Sequence, residues 1–223
     1  MTTEFVGSAT ERTTAATDAA LALLSLGGAV YLTRAVPRSL ARRIWLAALL
    51  TLSLASGLGA IAHGLVMSGA VREALWQPLY LLLGITMALF VVGAADAWRG
   101  EVTARRLLLP LLGLALVFYG ITRAARGDFL VFVIFEAGAL IFSLLVYLRL
   151  AYLRTRRGAG LMALALAVSL LAGVVQASGP IAVRLVWDFD HNGLFHLLQL
   201  LGVTLLLLGL RRVLDQSDLG TSP

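Results

Sequence analysis

The stretch WDFDHNGLFHLLQLLGVTLLLLGL, residues 187–210, decides how this chain is read. From Leu200 on it is apolar but for Thr204 and carries no charge. It completes a run long enough to cross a bilayer, which takes roughly 20 residues. Its polar groups crowd the other end, where Asp188, Asp190, His191, Asn192 and His196 stand together. An imidazole inside a membrane is costly unless it binds something, and it is the commonest side chain to hold a metal. The third histidine of the chain, His63, lies in SGLGAIAHGL, near the end of a second apolar run.

Working outward, the same pattern recurs. Sixty per cent of the 223 residues are hydrophobic and 13% are charged, far from the soluble globular range. Seven apolar stretches fall at about 18–36, 44–68, 75–97, 107–123, 128–149, 159–178 and 187–210. The expected fold class is all-α, a seven-transmembrane helical bundle, since a barrel would alternate in ten-residue strands. The expected divisions are a polar N-terminal segment 1–17 without a signal peptide's apolar run, one seven-helix domain 18–212, and a disordered tail 213–223. Pro78 and Pro110 are expected in first turns. Cysteine is absent, which removes disulfides and thiolate chemistry; lysine is absent, which removes a retinal Schiff base.

All 18 basic residues are arginines. Thirteen follow segments 1, 3, 5 and 7, from Arg34 to Arg212, and five (Arg12, Arg72, Arg123, Arg126, Arg184) lie on the other side. This asymmetry predicts an N-terminus outside and a cytoplasmic C-terminus. Dispersed juxtamembrane arginines give no nucleic-acid face. Trp45, Trp76, Trp98 and Trp187 fall at segment ends, as an aromatic belt would. Arginine in place of lysine, with abundant alanine, points to a bacterial cytoplasmic membrane and a multi-pass protein in it. Asp96 is expected to pair with Arg99.

With that topology, polar residues from six segments share one leaflet. His191 and His196 lie about 6 and 13 Å below Trp187, His63 about 7 Å deep and Glu136 about 12 Å. Gln77, Tyr80, Tyr119 and Gln176 fall at similar depth, and Gln199 shares a helix face with His196. A polar pocket open to the outside is expected. Residues five apart on a helix diverge by roughly 140°, so His191 meets His196 only if Asn192 caps the helix and His191 belongs to the loop before it. Each polar residue also has a structural reading: Asp188 and Asp190 as caps, Glu136 as a helix–helix hydrogen-bond partner.

Seven segments, one histidine late in the second and a histidine pair early in the seventh resemble the superfamily that joins alkaline ceramidases with the progestin and adipoQ receptors. NGLFHLLQLLG resembles its final-helix motif, and GLGAIAHG its helix-2 motif. The resemblance implies three histidines on a zinc ion whose bound water attacks a lipid amide. His63 and His196 match the motif positions, and His191 stands one place from the third, which is Asn192. Where family members carry a helix-2 serine this chain has Gly59, with Ser56 nearby; Glu73 stands in for an aspartate near the start of helix 3.

The leading expectation is a membrane-embedded zinc hydrolase of a lipid amide or ester. His63, His191 and His196 would hold Zn2+. Glu73, Glu136 or Asp190 would serve as base, and Gln77, Tyr119, Gln176 and Gln199 would contact substrate. Membrane lipid is the expected environment and partner. The alternatives are a non-catalytic receptor or accessory membrane subunit on the same scaffold, and a haem-binding redox protein using His63 and His196.

Overall fold

The computed structural model describes residues 4–125, 127, 129–179 and 181–215, and the expected tail beyond Asp215 lies outside them. Among the described residues seven helices run in chain order: α1 (Ala9–Ala35), α2 (Leu40–Gly64), α3 (Gly69–Arg99), α4 (Glu101–Ala124), α5 (Phe129–Tyr152), α6 (Ala159–Ala177) and α7 (His191–Leu214). Each is long and apolar enough to cross a membrane. A short antiparallel hairpin, β1 (Ala182–Arg184) and β2 (Asp188–Asp190), joins α6 to α7.

The helices start where capping residues permit. Ser8, Ser39 and Ser68 each accept the amide of the third residue onward, at Glu11, Arg42 and Val71, and Asp190 accepts that of Gly193. These bonds satisfy backbone donors that a helix otherwise leaves unpaired. Three readings of the sequence are corrected by them. α1 begins nine residues before position 18, so most of the expected N-terminal segment is helix. α3 and α4 begin early enough that Pro78 and Pro110 lie inside them and not in their first turns. Asp190 caps α7, as its structural reading had it, so Asn192 does not, and His191 is the first helical residue.

Packing closes α1, α2, α3, α5, α6 and α7 into a ring, with α4 set mainly against α3 on its outside. α4 accordingly buries only Ala104, Ala115, Phe118 and Thr122. The core follows small residues: Gly93 makes room for Trp45, which is 1% exposed and meets Phe90 edge-on at 5.1 Å. Trp45 is therefore core and not part of an aromatic belt, and Trp76 turns inward too. Trp98 and Trp187 are the exposed pair. Arg99 stacks on Trp98 at 4.5 Å, and the charges that act on the Asp96 carboxyl are Arg156 and Glu101.

One end of the bundle carries the hairpin, the α2–α3 connection and residues 4–6. Val6 N donates to Gly64 O and Val66 N to Glu4 O, which straps the N-terminal residues to the end of α2. Thr13 Oγ1 donates to Asp188 O, and Thr14 Oγ1 to Asp190 Oδ1, which fixes the hairpin on α1. The other end holds the arginine-rich connections.

Candidate functional site

Inside the ring lies a cavity of about 380 Å³ walled by all six of its helices and by no residue of α4. Its hairpin end is polar, with His63, Trp76, Gln176, His191, Asn192 and His196. Its depth is apolar, with Met87, Phe90, Leu140, Leu166, Val203 and Leu206. Between them stand Asp18, Ser56, Glu136, Ser169 and Gln199. An apolar chamber with a few convergent polar groups is the usual form of a small-molecule site.

All three histidines line this one cavity. His63 Nδ1 lies 2.7 Å from Glu11 Oε2, with the Trp76 ring edge-on at 5.7 Å. With Nδ1 donating to the carboxylate, Nε2 keeps its lone pair for a proton, a metal or a ligand. Glu11 is placed by the start of α1: Ser8 accepts its amide, as in a capping box, but its side chain reaches across to α2 instead of folding back. His196 is 7% exposed. Its Nε2 is 3.3 Å from Asp18 Oδ1 and its Nδ1 is 3.4 Å from Thr17 Oγ1. Asp18 fits only because α2 has a glycine opposite: a Cβ on Gly59 would lie 2.5 Å from Asp18 Oδ2. Two histidine–carboxylate pairs thus stand on different walls of one chamber.

The other sequence candidates divide cleanly. Glu136, Gln176 and Gln199 line the cavity. Ser169 Oγ donates to Gln199 Oε1 at 2.9 Å, and Gln176 Nε2 to Asn192 Oδ1 at 3.4 Å. Glu73 is exposed on α3, Gln77 lies outside the cavity walls, and Tyr119 packs with Tyr80, Phe118 and Phe132 on the α4 side. Asp190 is held as the α7 cap by Gly193 N at 2.8 Å and Thr14. Among the described residues no three His, Asp or Glu side chains are grouped as a metal-ligand set. Of the expected zinc ligands, His63 is prepared through Nε2 and His191 lines the cavity from the first position of α7, whereas both nitrogens of His196 face other partners.

Glu11, Thr17 and Asp18 were missed by the sequence reading, which counted the first two with a polar leader and gave Asp18 no role. The signal was present: Thr14, Thr17, Asp18, Leu21, Ser25, Gly28 and Leu32 repeat at helical spacing and form the buried stripe of α1.

The sequence matches the family of unknown function DUF6962 over residues 13–215. The chain belongs to this family. That match takes in α1 from Thr13 on, the other six helices and the hairpin, and all the cavity walls with them, while Glu11 lies just before it. No curated protein and no solved structure matches the chain.

Proposed function

We propose that this DUF6962 member is a multi-pass membrane hydrolase that cleaves an amide or ester in an amphipathic lipid. The observation that carries the reading is the single cavity joining two histidine–carboxylate pairs at its polar end to an apolar floor. A lipid head group would meet the polar end while its chain fills the floor. His63, oriented by Glu11, would accept a proton from water as its oxygen attacks the carbonyl. His63 would then return that proton from Nε2 to the leaving nitrogen or oxygen as its bond to the carbonyl carbon breaks, while His196, held between Asp18 and Thr17, walls the polar end where the substrate sits. Gln176 supplies an amide that could polarise the carbonyl oxygen. The motif resemblance to alkaline ceramidases supports the same substrate class. The arginine asymmetry supports an N-terminus outside, a cytoplasmic C-terminus and a cytoplasmic-membrane location, which puts the polar end toward the external leaflet.

Zinc, when bound by such histidines, would supply a water with its pKa lowered to about 7. The present donor arrangement does not assemble that site, so the acid–base route above uses the chain's own groups.

The test is turnover of fluorescent long-chain amides and esters by the purified protein, beside His63→Ala and His196→Ala, with elemental analysis of each. Hydrolysis reduced about a hundredfold or more in both variants supports the proposal. About one zinc per chain, lost with His63, would make the histidines ligands. Turnover unchanged in both variants, or none on any acyl lipid, would overturn the hydrolase and leave a binding protein.

A further inference from the structure

Glu136 is the group that the scheme above does not use. It is 4% exposed, lies in the wall of the cavity, and has no hydrogen-bond or ion-pair partner among the described residues. It also borders a second, smaller space of about 120 Å³ between α5 and α6, lined by Val133, Leu170 and Gly173. Among the described residues the cavity walls contain no arginine, and the chain has no lysine, so no described cation of its own answers this carboxyl. Gln176 Oε1 is a further buried acceptor without a donor. A buried carboxylate left unpaired is costly, and a ligand that brings the matching charge recovers that cost.

We infer that the cavity binds an amphiphile carrying an amine, with the ammonium at Glu136. Phe132 lies one turn from Glu136 toward the hairpin end, and both line the cavity. With Tyr80 and Trp76 on α3 it presents aromatic surface on the polar side, which attracts an alkylammonium. Leu140 lies one turn the other way, and with Leu166 and Leu206 offers an aliphatic floor for the chain. From Gln199 to Leu206 on α7 that floor is about 10 Å deep. The small space between α5 and α6 brings the same carboxyl close to the lipid-facing side of the bundle. This inference stands on Glu136 and the cavity alone, whatever the histidines do.

The experiment measures binding of dodecylamine, dodecanol and dodecanoate, none of which has a hydrolysable bond, to the protein in phosphatidylcholine nanodiscs, with empty nanodiscs as reference. The amine should bind the natural chain at least about tenfold more tightly than the alcohol, and the carboxylate least. Glu136→Gln should lose that preference while still binding the alcohol, and Glu136→Asp should keep most of it. Equal affinity for amine and alcohol in the natural chain would overturn the inference, as would a preference that survives Glu136→Gln. If Glu136→Gln does not yield folded protein, the comparison of head groups on the natural chain decides alone. Because the probes cannot be cleaved, failure here is separate from failure of the hydrolase.

Discussion

Gly59 shows how one absent side chain builds the site. Here Asp18 from α1 fills the volume instead, with its Oδ2 2.5 Å from where a Cβ would start. The carboxyl that contacts His196 is thus admitted by a glycine on a third element. Gly59→Ala should push Asp18 off His196 and cost about 1–3 kcal/mol of stability, as overpacking does. In an Asp18→Ala background the same substitution should cost far less, because the clash is gone. Thermal unfolding of the four proteins in detergent measures this cycle, and an equal cost in both backgrounds would remove Asp18 from the notch. The residue types alone disclosed His63, His191 and His196. They did not disclose Asp18 or Glu11, because a carboxylate near a chain terminus ordinarily belongs to solvent, and only the pairing of α1 with α2 and α7 gives these two their partners.

Elements join through close backbone approaches, and glycines decide where. Gly158 precedes α6 with φ +83°, and a Cβ there would lie 2.7 Å from both Gly209 O and Arg212 Cβ on α7. Gly160, two residues on, has open space at the same position. Gly158→Ala should therefore cost about 1–2 kcal/mol for the left-handed backbone and about 1–3 more for the overlap. Gly160→Ala should be neutral or gain up to about 1 kcal/mol of helix propensity. Opposite shifts in melting temperature check the pair; similar shifts would mean that α6 does not rest on α7 as described. The helices themselves were legible from apolar runs, since hydropathy reports directly what a bilayer requires. Their ends were less so, because polar first turns such as those after Ser8 and Ser68 carry caps instead of hydropathy. The hairpin at 182–190 was not foreseen: its strands are three residues each, and Leu185, Val186 and Trp187 at its tip resemble the start of a span.

At the scale of the whole molecule, two surfaces must be reconciled. Large apolar side chains stay exposed around the outside of the bundle, among them Leu54, Leu109, Leu116, Ile134, Leu145, Leu164 and Val174. A soluble monomer rarely shows so extensive an apolar belt, whereas a bilayer covers it at no cost. The arginine-rich connections gather at one end of that belt, and the cavity's polar end lies toward the other, where the hairpin sits. Charge bias orients such a bundle with its arginines in the cytoplasm, so the polar end should face outside. The chain's lack of cysteine makes this simple to check. Val186→Cys, 80% exposed at the hairpin tip, should react with a membrane-impermeant maleimide on intact cells. Thr155→Cys, exposed in the α5–α6 connection, should react only after the membrane is opened. The reverse pattern would turn the cavity toward the cytoplasm, and a substrate would then have to come from the inner leaflet. For the proposed hydrolysis, sidedness therefore fixes which pool of lipid the two histidine–carboxylate pairs would meet.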